Sequence, residues 1–478
     1  MARHQAVLIP GDGIGPEVTA AVRRILDAVG APIDWVECRA GLAALERGQD
    51  VLPRETLDAI SRLEVALKGP CTTPIGEGFV SINVRLRKEL DLYAAVRPVR
   101  SLDGVPTRYR DVDLVIIREN TEGLYSGIEA TLAPGVVTTT KVATEKACTR
   151  IARWAFRYAQ HRGRKKVTVF HKANIMKLTD GMFMRCARSV HDAEFSEIGY
   201  QEMIIDAGCM GLVQDPTRFD MLLLENLYGD VLSDLCAGLV GGLGVVPGAN
   251  IGDHGAVFEA VHGSAPKYAG KNVINPTAVI LSAVLMLRHV GEMAAASAIE
   301  QGVLASLEDG ILTRDVVGDN GAASTTAFTD AVIQRLGKKP KNARVREYRP
   351  LNLPRVSSDP DFVKPSKRRV VGVDVFVEST LPVEKLGKSV GELVAGTPVE
   401  LKMVESRGTK LYPATGAMTD TVDHYRCRFL QRAADGDLSE AQVLDVLTRV
   451  GAKHRWMHVE KLNEFDGVAG FTKAQGED

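Results

Sequence analysis

The sequence predicts an α/β protein with a parallel or mixed main sheet, followed by a smaller α+β domain. Up to about residue 338, helical patterns alternate with short apolar runs such as "LEVALKG", "VDLVIIREN", "KVTVFHKAN" and "FDMLLLENL". This alternation is typical of a sheet with helices on its faces. Residues 339–368 carry several prolines and many charges with little periodicity, which predicts a linker.

The last block, residues 369–478, predicts a ferredoxin-like unit because its elements follow the order β-α-β-β-α-β. Strands are predicted in "VVGVDVFVES", "VELKMVESRGTKLYP", "TVDHYRCRFLQRAA" and "WMHVEKLNEFDG". Helices are predicted in "KLGKSVGELVAG" and in "SEAQVLDVLTRVGAKH", the second with Ser439 as its N-cap. The block holds no cluster of catalytic residue types. An oligomerisation domain and an effector-binding domain both stay open, because a fold of this kind does not decide function.

Charge and composition exclude two classes of partner. Lys and Arg total 59 against 60 Asp and Glu, and aromatic residues make up only 5% of the chain. This balance creates no field that would attract DNA or an anionic membrane, and so few aromatics do not suit a base-stacking surface. We therefore expect neither a nucleic acid nor a membrane as a partner.

The seven cysteines indicate a reducing compartment. They are widely spread and form no C-x-x-C pair, so neither a disulfide framework nor a structural zinc site is predicted. A strand begins almost at the first residue, which leaves no room for a signal peptide. The most apolar run, residues 278–287, is too short to span a bilayer. We expect a cytoplasmic protein in which this run is a buried helix.

The stretch "IPGDGIGPEV" near the N-terminus resembles the glycine-rich turn of a Rossmann unit but fails its pattern. Gly11 and Gly13 fit the first two positions of G-x-G-x-x-G, whereas Pro16 stands where the third glycine is needed. That glycine lets the helix and strand pack closely. A dinucleotide site therefore has to be argued from other residues.

Three arginines stand near small polar residues in "SINVRLRKELDLYAAVRPVR" and "RENTEGLYSG". The arginines are Arg87, Arg97 and Arg118, and their neighbours are Ser81, Asn83 and Tyr125. A guanidinium group binds a carboxylate through two parallel hydrogen bonds, so three converging arginines would suit a small polycarboxylate. Ordinary surface arginines would give the same spacing.

Three aspartates are candidates for a divalent metal site. Asp230 and Asp234 in "NLYGDVLSD" are four residues apart, so they share one face of a helix, and Asp206 lies in "MIIDAGCM". Ligation by oxygen alone suits Mg²⁺ or Mn²⁺. The alternative is a helix start with one capping and one solvated aspartate.

Lys172 in "VFHKANIMK" follows an apolar strand. A lysine there can be partly desolvated, which lowers its pKa towards that of a base; a structural lysine is the alternative. The segment "FEAVHGSAPKYAGKNVINP" has the glycine, proline and polar composition of a ligand-binding loop, although an ordinary surface turn would look similar.

Taken together, these segments resemble the β-decarboxylating dehydrogenase family, and within it the isocitrate dehydrogenases. The matching segments, in chain order, are "GDGIG", "TTPIG", "SINVRLRKELDLYAAVRPVR", "RENTEGLYSG", "HKANIMK", "NLYGDVLSD", "GGLGVVPGANIG" and "HGSAPKYAG". The C-terminal block resembles the extension of a long-chain bacterial subgroup. The resemblance implies a non-Rossmann fold with a large domain (1–95 and 240–338) and a small domain with a dimer clasp (96–239).

The resemblance implies isocitrate as the substrate and 2-oxoglutarate and CO₂ as the products. Arg87, Arg97 and Arg118 would hold the carboxylates of isocitrate. Ser81 and Asn83 would donate hydrogen bonds to its γ-carboxylate, where relatives acting on 3-isopropylmalate need an apolar wall. A dehydrogenase for homoisocitrate, 3-isopropylmalate or tartrate is the alternative activity, and a non-catalytic regulatory subunit is the alternative class.

The resemblance also implies how catalysis is shared between two chains. Mg²⁺ or Mn²⁺ on Asp206, Asp230 and Asp234 would bind the C2 hydroxyl and later polarise the carbonyl of oxalosuccinate. Lys172 would remove the hydroxyl proton, and Tyr125 would protonate the enolate after CO₂ leaves. Lys172 and Asp206 would come from the second subunit, so a homodimer is expected.

For the cofactor, the resemblance implies NADP, with the adenosine end held by residues 262–275. Lys267 and Tyr268 match the pair that meets the 2′-phosphate, and a cation with a phenolic hydroxyl suits that charge. Arg314 is a candidate second cation, in a region that aligns loosely, so some use of NAD stays open. The full predicted set for the cofactor is Thr72, Thr73, Asn174, Glu259, His262, Gly263, Lys267, Tyr268, Asn275, Arg314 and Asp315.

Overall fold

The computed structural model describes residues 3–72, 81–342, 348–349 and 366–473. The chain divides into two compact units, Met1–Ser126 with Lys141–Asp359, and Gly127–Thr140 with Pro360–Asp478. Thr73 of the predicted cofactor set and most of the predicted linker at 339–368 lie outside the described residues.

Ten of the described strands form the sheet of the first unit, in the order β2-β1-β3-β12-β11-β4-β5-β10-β8-β9. They are β1 (His4–Ile9), β2 (Ile33–Glu37), β3 (Val65–Lys68), β4 (Ala94–Arg100), β5 (Asp113–Glu119), β8 (Lys166–His171), β9 (Gly199–Ile204), β10 (Met221–Leu224), β11 (Pro247–Gly252) and β12 (Gly255–Ala260). The three pairings from β12 through β11 and β4 to β5 are antiparallel, and all the others are parallel. The predicted mixed sheet is confirmed.

Helices pack on the faces of this sheet, as the alternating pattern predicts. They are α1 (Gly15–Val29), α2 (Leu42–Leu45), α3 (Arg54–Leu63), α4 (Ile82–Glu89), α5 (Glu145–Arg162), α6 (Thr179–Glu194), α7 (Ile205–Gln214), α8 (Asn226–Leu239), α9 (Thr277–His289), α10 (Met293–Glu308), α11 (Arg314–Val317) and α12 (Thr325–Gln334). The apolar run at 278–287 is the buried helix α9, which confirms that prediction. No helix in the described ranges is long and apolar enough to cross a bilayer.

Polar residues stand where parallel strands of this sheet end. Lys68 ends β3, Arg118 is the penultimate residue of β5 and Lys172 follows β8 directly. In the parallel pair of β12 and β3, Glu259 lies opposite Lys68. Ligands of open α/β sheets bind at such carboxyl ends, and both faces of these strands are covered by apolar side chains. The core therefore fixes the backbone from which the polar residues project.

A two-stranded ribbon, β6 (Gly123–Ala133) with β7 (Val136–Val142), lies between β5 and α5 in the chain. Tyr125 belongs to its first strand and Lys141 to its second. The turn that precedes β6 is stabilised by the Glu119 carboxylate, which accepts backbone N–H groups of Thr121 and Glu122.

The second unit contains an antiparallel sheet with the order β15-β14-β16-β13-β17-β18. Its elements are β13 (Arg368–Glu378), α13 (Val383–Leu393), β14 (Val399–Ser406), β15 (Thr409–Tyr412), β16 (His424–Gln431), α14 (Glu440–Gly451), β17 (Arg455–Phe465) and β18 (Val468–Ala469). The four main strands lie in the order second, third, first, fourth, and two helices cover one face of the sheet. The predicted ferredoxin-like unit is confirmed, and so is Ser439, which caps α14 in a capping box with Gln442.

One element of this unit differs from the prediction. The stretch "VELKMVESRGTKLYP" is not one strand but the hairpin of β14 and β15. Arg407 and Gly408 both have positive φ angles, 52° and 82°. These are the angles that a two-residue hairpin turn requires, and the glycine permits them. A prediction based only on β-branched residues does not detect such a turn.

Candidate active site

Arg118 lies at the centre of the predicted site and is fully buried. Its Nε and Nη2 donate to Asn226 Oδ1 at 3.1 and 2.6 Å, and its Nη1 donates to Asp230. A Cβ atom on Gly229 would lie 2.5 Å from the Arg118 side chain, so only glycine fits at this position of α8. The helix therefore packs directly on the aliphatic stem of Arg118, and its Asn226 and Asp230 fix the direction of the guanidinium group.

Tyr125 and Asp230 form the second part of the site. The Tyr125 hydroxyl donates to Asp230 Oδ2 at 2.5 Å, and Arg118 Cζ lies 5.0 Å from the tyrosine ring. Burial and the hydrogen bond to Asp230 raise the pKa of Tyr125. Burial alone would raise the pKa of Asp230, but the positive charge of Arg118 and the Tyr125 hydrogen bond outweigh it and lower that pKa. Tyr125 is thus held in its protonated form, as a proton donor must be.

Arg97 extends the positive charge along α8. Its guanidinium is 3.6 Å from Asp230 and 3.9 Å from Asp234, and it donates to the Ser233 hydroxyl. Burial, together with the charges of Arg118 and Arg87, lowers the pKa of Arg97 to about 10. Three buried guanidinium groups that repel one another favour the binding of a multiply charged anion.

Asp230 and Asp234 meet the chemical requirements of a Mg²⁺ or Mn²⁺ site. They lie four residues apart on α8, as predicted, and offer only oxygen donors. Burial raises the pKa of Asp234, and the charge of Asp230 adds to that effect while Arg97 opposes it. A carboxylate short of positive charge is one that a divalent cation would stabilise. The donor set therefore fits the predicted ion.

A cavity of about 90 Å³ connects the predicted substrate and cofactor residues. Arg87, Arg97 and Asn83 line it together with His262 and Gly263. In the described part of the chain, Asn83 Oδ1 and His262 Nε2 are buried without a hydrogen-bond partner. Buried polar atoms of this kind carry a desolvation cost until a partner is supplied, so both are ready to bind a ligand in this cavity.

The buried Glu259 lines the same cavity. Its carboxylate is 2.6 Å from Lys68 Nζ, 3.4 Å from Arg87 Nη2 and 2.7 Å from Asn250 Nδ2. Burial would raise its pKa, but Lys68 and Arg87 lower it to about 2. Lys68 and Asn250 were not predicted from the sequence. The lysine that ends the apolar strand "LEVALKG" is the one signal that could have identified Lys68, and Asn250 has none.

We expect Glu259→Gln to destabilise the protein at neutral pH, by about 3–5 kcal/mol, because Lys68 would be left buried without its counter-charge. A carboxylate with a depressed pKa stabilises the fold above its ordinary pKa of 4.5, and that contribution is lost as the pH falls towards about 2. The difference between the two proteins should therefore shrink below pH 4.5. Urea unfolding at pH 7 and pH 3.5 measures it, with Glu37→Gln in an exposed ion pair as the control. A difference that stays constant with pH would contradict this assignment.

The "GDGIG" turn contacts segments that line the cavity or adjoin it. The buried Asp12 carboxylate accepts the N–H groups of Leu42, Ala43 and Thr72. A Cβ atom on Gly13 would lie 2.1 Å from the Ser264 carbonyl oxygen. The turn therefore positions Thr72 and the loop that contains Ser264, which explains a glycine pattern that fails the Rossmann rule.

Three cations lie near Tyr268: two on its own loop, residues 261–276, and one from α11. Arg314 Cζ is 6.0 Å and Lys271 Nζ 5.8 Å from its ring, and Lys267 precedes it in the exposed turn. Lys271 is a cation that the sequence analysis missed. Two further predicted residues fix the base of this loop, because Asn275 Nδ2 donates to Asp315 Oδ2 at 3.1 Å.

Lys172 and Asp206 form a separate pair. Lys172 Nζ is 3.0 Å from Asp206 Oδ1, and this hydrogen bond lowers the pKa of Asp206. Within the described residues, no hydrogen bond or ion pair connects this pair to Tyr125 or Asp230, and no three His, Cys, Asp or Glu side chains lie close enough to hold a metal ion. Asn174 is exposed beyond Lys172, and Ser81 precedes α4. Within the described part of one chain, the predicted site residues therefore form two groups that no hydrogen bond or ion pair joins.

Comparison with known proteins identifies the family. The profile of the isocitrate/isopropylmalate dehydrogenases matches residues 5–332. The chain belongs to this family. The profile of the C-terminal domain of bacterial isocitrate dehydrogenase matches residues 368–477. The family and the fold predicted from the sequence are both confirmed.

Within the isocitrate/isopropylmalate dehydrogenases, similarity extends over the full length of the chain. Isocitrate dehydrogenase [NADP] of Thermus thermophilus is 51% identical over 480 residues, which cover 100% of this chain and 96% of that protein. A mitochondrial catalytic subunit of NAD isocitrate dehydrogenase from Arabidopsis thaliana is 50% identical over 332 residues, 69% of this chain and 88% of its own.

Solved structures agree with the sequence comparison. A crystal structure of a protein from Thermus thermophilus aligns with a TM-score of 0.95 and 51% identity, over 100% of this chain and 97% of that one. Isocitrate dehydrogenase from Methylococcus capsulatus aligns with a TM-score of 0.68 and 46% identity, over 70% of this chain and 99% of its own. Because that structure is covered almost completely, the part of this chain outside the alignment has almost no counterpart in it.

Proposed function

We propose that this protein is an isocitrate dehydrogenase that converts isocitrate and NADP⁺ to 2-oxoglutarate, CO₂ and NADPH. The observation that carries the proposal is the group of three buried guanidinium groups, Arg87, Arg97 and Arg118, whose charges act on Asp230, the acceptor of the Tyr125 hydroxyl. The full-length similarity to a named NADP isocitrate dehydrogenase supports it. All residues predicted for acid–base chemistry and metal binding are present: Tyr125, Lys172, Asp206, Asp230 and Asp234.

Substrate recognition follows from charge. Isocitrate carries three carboxylates, and Arg87, Arg97 and Arg118 offer three buried cations. Asn83, on the wall of the cavity beside Arg87, supplies a polar group where an alkyl side chain would need apolar contacts. The site therefore favours isocitrate over 3-isopropylmalate.

The chain's own residues move two protons. We assign Lys172, in its neutral amine form and next to Asp206, as the base that takes the proton of the C2 hydroxyl as the substrate is oxidised, which leaves Lys172 as an ammonium group. Tyr125 returns a proton to the carbon that loses CO₂, and Asp230 orients its hydroxyl. When bound by Asp206, Asp230 and Asp234, Mg²⁺ or Mn²⁺ supplies Lewis-acid polarisation of the C2 oxygen.

A homodimer would complete the site. Exposed apolar side chains lie beside the two groups of predicted site residues: Ile175 after Lys172, Met210 and Val213 on α7, and Val231 next to Asp230. Apolar patches of this kind mark protein interfaces. We infer that a second copy covers this surface and brings its Lys172 and Asp206 to the Asp230 of the first.

NADP preference is assigned to the cations around Tyr268. We expect Lys267→Asp with Tyr268→Val to lower kcat/KM for NADP about 100-fold, because an acid repels the 2′-phosphate, and to change kcat/KM for NAD much less. Steady-state kinetics with both cofactors measures this. Lys146→Asp, an exposed charge reversal on α5, is the control. An equal loss for both cofactors would remove these residues from 2′-phosphate recognition.

The proposed activity is tested by steady-state assays with isocitrate, homoisocitrate and 3-isopropylmalate, each with NADP and NAD, before and after metal removal. We expect turnover of isocitrate with NADP that depends on Mg²⁺ or Mn²⁺. A preference for either of the other two acids would overturn the substrate assignment. We also propose a cytoplasmic location, which the seven unpaired cysteines support.

A further inference from the structure

Lys141 is a buried cation that the proposed mechanism does not use. Its side chain is 12% exposed, and its Nζ lies 2.6 Å from Asp180 Oδ1 and 3.8 Å from Glu225 Oε2. The ring of Tyr228 is 5.0 Å from the same ammonium. One positive charge thus faces two buried carboxylates and an aromatic ring.

Asp180 connects Lys141 to the backbone of Lys172. Its side chain is 2% exposed and stands in the first turn of α6. While Oδ1 accepts from Lys141, Oδ2 accepts the backbone N–H of Lys172 at 2.7 Å. A buried carboxylate held at one oxygen has a fixed direction at the other, so Lys141 determines where Asp180 holds Lys172.

Glu225 is the second buried carboxylate near Lys141 and adds to the need for a positive charge at this position. Its Oε1 caps α8 by accepting the N–H of Tyr228 at 3.1 Å. In the described residues its Oε2 is buried without a hydrogen-bond partner, and Lys141 is the positive charge 3.8 Å from it. A cavity of about 20 Å³, which both side chains line, has room for one water. Without Lys141, Asp180 and Glu225 would be two buried negative charges without a cation, which would favour a shift of either carboxylate.

We propose that Lys141 is a positioning residue that acts through Asp180 on Lys172, and therefore on the active site of the other subunit. The inference rests on the proposed function, in which Lys172 serves as a base in the partner's site while Tyr125 and Asp230 serve their own. Loss of Lys141 in one chain should then impair the site that contains Tyr125 of the other chain. The site that contains Tyr125 of the altered chain should keep its activity, because its Lys172 comes from the unaltered chain.

Lys141→Met removes the charge and keeps an unbranched side chain. We expect kcat to fall about 10- to 100-fold, the effect of misplacing a catalytic group by about 1 Å, with KM for NADP within about twofold of the wild type. Lys141→Arg should recover most of the loss because it keeps the cation. Lys146→Met, an exposed lysine on α5, is the matched control and should leave kcat unchanged.

The mixed dimer separates positioning from a structural role. When Lys141→Met and Tyr125→Phe chains exchange subunits, one site of each mixed dimer combines an intact Tyr125 with a Lys172 whose own Lys141 is intact. We expect activity to rise to about a quarter of the wild type, because half of the dimers are mixed and each has one competent site. Activity that stays at the average of the two variants would overturn the proposal, as would a Lys141→Met enzyme with wild-type kcat.

If Lys141→Met does not form dimers, Asp180→Asn takes its place in the mixture with Tyr125→Phe. Activity of about a quarter of the wild type would again support the proposal, and activity at the average of the two variants would overturn it. The proposed function is judged separately, by turnover of isocitrate in the wild type and by the mixture of Lys172→Met with Tyr125→Phe. If that mixture regains activity and the Lys141→Met mixture does not, the inference about Lys141 fails while the shared site stands.

Discussion

Mixing two inactive variants, Lys172→Met and Tyr125→Phe, should restore about a quarter of wild-type activity. Each substitution removes one proton-transfer group and should lower kcat about 100- to 10,000-fold on its own. In a mixed dimer one site receives Tyr125 from the first chain and Lys172 from the second, so it is complete. Random exchange places half of the dimers in this mixed state, and each has one working site of two. Activity measured after partial unfolding and refolding of the mixture gives the result.

Controls for this experiment use each variant taken through the same exchange alone. Both should stay inactive, and both should elute as dimers. If the mixture remains as inactive as its components although mixed dimers form, then Lys172 and Tyr125 act in the same chain. The pairing of Lys172 with Asp206 and of Tyr125 with Asp230, with no hydrogen bond between the two pairs among the described residues, would then need another explanation.

Asp230→Asn should lower kcat/KM for isocitrate about 1,000-fold. Asp230 is the point where the proposed metal site, Arg118 and the Tyr125 hydroxyl meet. An amide of the same shape keeps the packing but loses the charge that binds Mg²⁺ or Mn²⁺, whose Lewis-acid action is worth several kcal/mol. The loss should appear in kcat and in the metal concentration needed for half-maximal activity.

The same substitution should also lower the melting temperature. Asp230 is the acceptor of Arg118 and lies 3.6 Å from Arg97, so its neutral form leaves these buried cations less compensated. Asp27→Asn on the exposed face of α1 is the matched control and should change neither property. A variant that keeps kcat/KM within about threefold would place metal binding elsewhere.

Patterns that depend on neighbouring residues in the chain were predicted well. The apolar strand before Lys172, the helix that puts Asp230 and Asp234 on one face, and the capped helix α14 all follow from periodicity and local hydrogen bonding. The hairpin turn at Arg407 and Gly408 was missed because the residues on both sides have similar strand propensity. Its turn is specified by two φ angles, which composition does not reveal.

Contacts between distant parts of the chain were not predictable. Lys68 and Glu259 are far apart in sequence, yet they meet at 2.6 Å because β3 and β12 are parallel neighbours. Lys141 meets Asp180 only because the end of β7 packs near the start of α6. The entropic cost of closing a loop grows only slowly with its length, so many pairs of distant residues could meet. A single sequence does not show which of these pairs the order of strands in the sheet brings into contact.

Residue types and their local spacing determined the family, the order of helices and strands, and the chemical groups available to the site. Those features depend on backbone propensities and on side chains a few residues apart, which the linear chain contains directly. Tertiary structure alone decided that the "GDGIG" turn supports the loop at Ser264, that three guanidinium groups act on Asp230, and that Lys172 pairs with Asp206. These outcomes follow from the pairing order of the strands and the burial of charge, which arise only when the whole chain is packed.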